Sequence, residues 1–179
     1  MNKKSAKTMN DIGTIYMKGM SEQIMLHFET ILESRLSQTE TLARDAVPSN
    51  AQKYDKICAL LKHNVSASGF DRLAFCDEDG TFRTIFGDSV SAVDSLSFLN
   101  AIQDEEEKIV MGTDMNGNGM VLTSVPISLR MPDSKKSIAL VSGFSVDYIA
   151  DIFSQKLDRS MFYFIVERDG SIVIQGDAD

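Results

Sequence analysis

The sequence predicts an α+β fold: a long N-terminal helix, then a layer of antiparallel strands flanked by helices. Three observations carry this. Apolar residues Ile12, Tyr16, Ile24, Phe28, Ile31, Leu32 and Leu36 recur at spacings of three, four or eight, one stripe on a helix running from about Met9 to Asp45. Two turn sequences, Asp77-Glu-Asp-Gly80 and Asp114-Met-Asn-Gly-Asn-Gly119, each separate two apolar runs, which is the signature of a β-hairpin. Finally, Ile138-Ala-Leu-Val141 is an apolar run too short for a helix, so it reads as a strand buried on both faces. It feeds a helical stripe of Val146, Ile149, Ala150 and Phe153.

Taken in order, residues 1–8 are polar and expected to fray. The helix 9–45 would span roughly 50 Å at the α-helical rise, more than a small domain. Two readings stay open: a stalk leading from a membrane, or a helix lying along its own domain. Pro48 closes it, because the residue before a proline avoids helical geometry. Ser49-Asn50 caps a second helix with the face Tyr54, Ile57, Cys58, Leu61 and Val65, ended by Gly69. Strands follow at 72–76 and 81–86. Residues 88–107 read as irregular, with a short helix near Phe98–Ile102 and a solvated acidic run Asp104–Glu107. Strands at 108–111 and 120–127 flank the second turn, with Pro126 at a strand end where a missing donor is tolerated. The strand 138–144 and a helix 146–156 complete a sheet of five antiparallel strands with helices on one face. Residues 161–174 repeat the first hairpin's pattern, apolar strand, acidic turn ending Asp-Gly, apolar strand. The expectation is a second copy of the same unit, cut off at its opening. The organisation is therefore a helix over 1–47, a sheet domain over 48–157 and a truncated second subdomain over 158–179.

Composition bounds the role. Of 179 residues, 43% are hydrophobic and 25% charged, the balance of a folded chain. A net charge of −8 lacks the basic footprint that phosphate binding needs, which excludes nucleic acid as a partner. No apolar run approaches the ~20 residues that span a bilayer, and no signal-peptide pattern is present. If the native protein is anchored in a membrane, this chain is a soluble piece of it. Cys58 and Cys76 read as buried free thiols, with a disulfide as the alternative. Two histidines and no Cys/His cluster leave no zinc site and no cofactor. Asp114-Met-Asn-Gly-Asn resembles the start of a calcium loop but lacks the spaced Glu, so it reads as a plain turn. No nucleophile stands with a histidine and an orienting acid, so the chain is not read as an enzyme.

The hairpin Leu73–Phe82, the hairpin Val110–Ile127, the strand-helix Ile138–Phe153 and the closing hairpin Phe164–Ile174 together resemble the extracytoplasmic Cache sensor domains of bacterial receptors. These are built of PAS-like sheets and often doubled. The resemblance covers nearly the whole chain from about residue 10 and rests on pattern, with no invariant motif. It implies a PAS-like five-stranded sheet of spatial order 2-1-5-4-3, with 138–144 in the middle. It also implies a role in reporting a ligand through a membrane helix to a histidine kinase, a diguanylate cyclase or a chemotaxis output. Amino-acid-sensing members carry an Arg-x-Trp-Tyr-like motif on the short helix, a Tyr between the third and fourth strands and an Asp ending the fifth. Here those regions read Asp94–Ala101 without Arg or Trp, Gly112-Thr-Asp114, and Gly143. An α-amino acid needs a cation for its carboxylate and an anion for its ammonium. Apart from Asp114, the matching positions supply neither.

A pocket would lie between the central sheet and residues 88–107, with Phe98, Asn100, Thr113, Asp114, Thr123 and Ser142 as candidate ligand contacts. Two functions of different class are carried. One is an extracytoplasmic sensor of an unknown small molecule in a membrane receptor, dimeric through the N-terminal helix. The other is a cytosolic PAS- or GAF-like regulatory or dimerisation module without its own ligand.

Overall fold

The computed structural model describes residues 3–46, 54–92, 95–103, 108–156, 163–166 and 172–176. Pro48, Ser49, Asn50, the acidic run 104–107 and the turn 167–170 lie outside them. Among the described residues are four helices, α1 (Lys3–Ala46), α2 (Tyr54–Ser68), α3 (Ser95–Gln103) and α4 (Val146–Lys156), and eight strands. The strands are β1 (Arg72–Asp77), β2 (Phe82–Phe86), β3 (Val90–Ala92), β4 (Lys108–Asp114), β5 (Gly119–Arg130), β6 (Lys136–Ser145), β7 (Tyr163–Val166) and β8 (Ile172–Gly176). The chain divides into two compact units, 1–34 and 35–179. The first is the greater part of α1.

α1 begins at Lys3, so the polar start is helical rather than frayed from that point. Lys and Ala are strong helix formers, and no breaker interrupts them. α2 stops at Ser68, and Gly69 takes a left-handed φ of 69°, the helix-ending conformation that costs glycine nothing.

Six strands form one antiparallel sheet in the order β2-β1-β6-β5-β4-β3, and β7-β8 form a separate pair. The expected order of five strands is reproduced, with β6 between β1 and β5. The additional edge strand β3 falls in the stretch read as irregular. It pairs Val90–Ala92 with Gly112–Asp114 through only three residues, too few to show a period. β6 is covered on both faces: Leu140, Val141 and Phe144 are each at most 1% exposed. Burying side chains of this size contributes about 1.5–3 kcal/mol each.

The helices cover both faces, not one. On one face, Thr39 of α1 meets Thr123 and Ser142, and Tyr54 of α2 lies against Phe75 with ring centroids 6.2 Å apart. On the other, Phe98 and Ile102 of α3 pack with Cys76, Met120, Leu122, Ala139 and Val141. Strand alternation explains the split, since Ser142 and Val141 are neighbours and must point to opposite faces. Cys76 is fully buried and unbridged, and Cys58 is half-buried and also free. Burial pushes the Cys76 thiol up to about 12, so it is held as the inert thiol.

Two sequence neighbours break the ladder. Pro126 pairs with Ala139 and Leu129 with Ser137, so Ile127 and Ser128 of β5 together face Ile138. On the other side of β6, Cys76 pairs with Ala139 and Asp77 with Ser137, leaving Ile138 as the extra residue. Pro126 is therefore not at the end of its strand, which continues to Arg130. It sits at a bulge, where proline's missing donor removes no ladder bond.

Beside the bulges, the buried Asp77 carboxylate accepts from Arg83 Nε at 2.5 Å and from the Ser137 hydroxyl. Arg83 also donates to Asp133 at 2.6 Å, and Lys135 donates to Asp79 at 2.8 Å. The Arg83 guanidinium holds the Asp133 carboxyl below its usual range, and the Lys135 ammonium does the same to Asp79. These groups bind protons less readily folded than unfolded, where carboxyls titrate near 4. Their contribution is thus complete above about pH 5 and lost as pH falls through the folded values. The Tm advantage of the wild type over a D79N/D133N variant is expected to be present at pH 7 and to shrink steadily as pH falls below about 4. An advantage that grows on acidification, followed by calorimetry, would contradict this.

Candidate functional site

Two regions of the α3 side of the sheet bear on ligand binding: the centre, where the family resemblance locates a ligand, and the end where the bulges lie.

The centre is filled. Leu122 is fully buried and lies between Gly112 of β4 and Gly143 of β6. A Cβ built on Gly112 would stand 2.5 Å from Leu122 Cδ1 and 2.7 Å from the Ser91 carbonyl oxygen. One built on Gly143 would stand 3.0 Å from Leu122 Cδ2 and 3.3 Å from Arg72 Cβ. The two glycines are packing residues: they make room for Leu122. Alongside, Phe98 stacks on Phe82 at 5.8 Å and 15°. Charges at this end are already matched. Arg72 Nη2 reaches Asp88 at 3.2 Å and Asp114 at 4.0 Å. Asp114 also accepts from the Asn116 and Asn118 amides at 2.8 and 2.9 Å and from Asn118 Nδ2 at 2.9 Å. The Asn118 side chain leads in holding the Asp114 carboxyl low. Asp114 thus closes its own turn.

The six residues singled out in the sequence do not converge. Phe98 is in the core on the α3 side, and Asn100 is exposed on α3. Thr113 shares a 3.2 Å contact with Ser91 on β3, and Asp114 belongs to the turn. Thr123 and Ser142 do meet, on the opposite face, with α1. Their hydroxyls are 2.6 Å apart, and Thr39 Oγ1 lies 2.9 Å from Thr123 and 2.6 Å from Ser142. All three residues are fully buried. The Thr39 hydroxyl also donates to the Arg35 carbonyl at 2.9 Å, so within the triangle it accepts from Thr123 or Ser142. The cluster is thus bonded to itself and to the α1 backbone inside the core. Nearby, Arg35 is 7% exposed and donates from Nη1 to the Ser68 carbonyl at 2.6 Å. Its guanidinium lies 5.1, 5.5 and 4.8 Å from the rings of Phe70, Phe144 and Tyr148, a cation–π arrangement.

Among the described residues, a cleft opens at the bulge end. Its volume is about 490 Å³, and it is walled by Ile102 and Gln103 of α3, by Pro126, Ile127 and Ser128 of the β5 bulge, and by Ile138 of β6. Lys136 and Glu78 complete its rim. The volume falls within the range of small-molecule sites. Backbone bonds fix the rim: the Glu78 amide donates to the Lys136 carbonyl at 3.1 Å, and Gln103 Nε2 approaches the Glu78 carbonyl at 3.4 Å. Asn100 precedes Gln103 by three residues on α3, so the two share a helix side. Pro126, expected at a strand end, lies inside a strand of twelve residues, where proline marks a bulge. Among the described residues, no three His, Cys, Asp or Glu side chains come together to hold a metal.

If the centre is closed by packing, restoring a carboxylate there must cost stability. Gly143→Asp is expected to lower the unfolding free energy by about 1–3 kcal/mol in urea titration, through overpacking and a poorly solvated charge. An unchanged midpoint would mean that the centre has room.

No protein-family model matches the sequence, and no curated protein matches it. Solved structures do resemble it. The ligand-binding domain of the Pseudomonas aeruginosa amino-acid chemoreceptor PctC, in complex with GABA, matches with TM-score 0.66 at 16% identity, over 89% of this chain and 74% of that one. The corresponding domain of PctB from the same organism, in complex with L-Gln, gives 0.62 at 19%, over 88% and 66%. That of the Pseudomonas fluorescens chemoreceptor CtaA, in complex with L-isoleucine, gives 0.68 at 15%, over 95% and 71%. The chain thus spans about two thirds to three quarters of these domains. At such identities the likeness concerns architecture, and this chain has the fold of bacterial chemoreceptor ligand-binding domains, the fold that its resemblance to the Cache sensors implied.

Proposed function

We propose that the chain is the extracytoplasmic ligand-sensing part of a membrane-bound signalling receptor, which binds a small molecule and relays binding through the N-terminal helix. The observation that carries this is the shared fold over about nine tenths of the chain with domains that hold small-molecule ligands. The docking of α1 supports the relay. Arg35 and Thr39 tie the end of α1 to β5 and β6 and to the start of α4, so a change in the sheet is felt at the helix. A ligand shifts such an arrangement only by binding its alternatives unequally.

In this reading, residues 1–47 are the stalk, 48–157 the membrane-distal sensor and 158–179 the opening of a membrane-proximal subdomain. The separate β7-β8 sheet supports the last of these. Membrane anchoring would lie outside the residues described, because no described helix is long and apolar enough to cross a bilayer. The receptor would be dimeric through α1, where Met25 and Leu26 are 57% and 63% exposed. Apolar side chains displayed on a long helix suit a partner helix.

Thermal-shift measurements against a metabolite panel test the sensor. A ligand at about 100 times its Kd should raise Tm by about 5–10 °C. A flat response across the panel, together with a native gene encoding no flanking membrane helix, would contradict it. For the dimer, light scattering should give twice the chain mass at high concentration, and M25E/L26E should give the monomer. A strict monomer in the unmodified chain would refute that part.

A further inference from the structure

The bulge-end cleft carries two rim charges that differ from the ion-paired groups beside them. Around it, cations and carboxylates are paired: Arg83 with Asp77 and Asp133, Lys135 with Asp79. At the other end of the sheet, Arg72 faces Asp88 and Asp114. On the cleft rim, the Lys136 ammonium and the Glu78 carboxylate have neither an ion pair nor a side-chain hydrogen bond among the described residues. They are held beside one another through the Glu78 amide and the Lys136 carbonyl. Between them the floor is apolar, with Ile102, Ile127 and Ile138. The register shifts on the two sides of β6 both fall at Ile138, and bulges of this kind re-aim side chains where a site is needed.

One cation, one anion and an apolar floor select a complementary solute. A simple carboxylate would meet Lys136 but would be repelled by Glu78. A simple amine would meet Glu78 and be repelled by Lys136. A molecule carrying both charges on a short carbon chain matches all three features. We propose that this cleft is a binding site for a small zwitterion, with its carboxylate at Lys136, its ammonium at Glu78 and its carbon chain on Ile102, Ile127 and Ile138. The proposal rests on the sensor reading and moves the site away from the Leu122-filled centre to the opposite end of the sheet. Both charges are exposed, so removing either one is expected to leave the fold intact.

The test is calorimetric titration with the ω-amino carboxylates from β-alanine to 6-aminohexanoate, beside alkylamines and alkylcarboxylates of equal length. The expected result is one chain length that binds at least tenfold more tightly than both single-charge analogues. Lys136→Gln and Glu78→Gln should each weaken it at least tenfold, with ligand-free Tm within about a degree of wild type, and Ser128→Trp, which fills the cleft, should abolish it. A metabolite or series member that binds the wild type and all three variants equally overturns the cleft while leaving the sensor reading standing. A ligand lost in Ser128→Trp but indifferent to both charge variants overturns the zwitterion. No binding from either the series or the metabolite panel defeats both.

Discussion

Three hydroxyls at the centre of the molecule hold α1 to the sheet. Thr39, Thr123 and Ser142 come from α1, β5 and β6, and each is without solvent exposure. A buried hydroxyl without a partner costs about 1–3 kcal/mol, whereas a satisfied one contributes about 1 kcal/mol. The triangle is therefore worth more as a constraint than as a sum of bonds. Sliding β5 against β6 by one residue would put Thr123 and Ser142 on opposite faces, break their contact with each other and leave Thr39 only its bond to the Arg35 carbonyl. The same contacts fix residues 35–46, the last turns of α1, against the sheet. Arg35, one helical turn before Thr39, extends the contact to Phe70, Phe144 and Tyr148.

The end of α1 and α2 occupy one face of the sheet, and α3 the other. There the strand-crossing pair Gly112 and Gly143 admits Leu122, and the middle of the face closes into core. The departures from regular pairing are displaced to the far end, where Ile127 and Ser128 oppose Ile138. The sheet thus keeps its most regular pairing under α1 and opens where the ladder fails.

Much of the fold was legible in the sequence because it rests on local rules. The two hairpins declared themselves through Asp-Gly and Asn-Gly turns, and β6 through an apolar run of strand length. Gly69 ended α2 as its sequence implied. β3 was hidden because three residues cannot show alternation. The helices on both faces were hidden because α3 buries only Phe98 and Ile102 among the residues that reveal its side. The site was less legible. Thr123 and Ser142 do meet, but their third partner is Thr39, 84 and 103 residues away, a relation that no local pattern encodes. Pro126 read as the end of a strand, and its place at a bulge depended on the register of two neighbouring strands. Lys136 and Glu78 carried no motif at all. Their proximity follows from β1 and β6 being adjacent, which is a property of topology.

The claim on which the rest depends is that the hydroxyl triangle couples α1 to the sheet. A double-mutant cycle of Thr39→Val and Ser142→Ala, read by urea unfolding, tests it directly. Residues that share a hydrogen-bond network have coupling energies of about 0.5–3 kcal/mol. The account predicts a coupling of about 1 kcal/mol or more between these two positions. Additive losses, with a coupling indistinguishable from zero, would show that α1 is held by apolar packing alone and would contradict it.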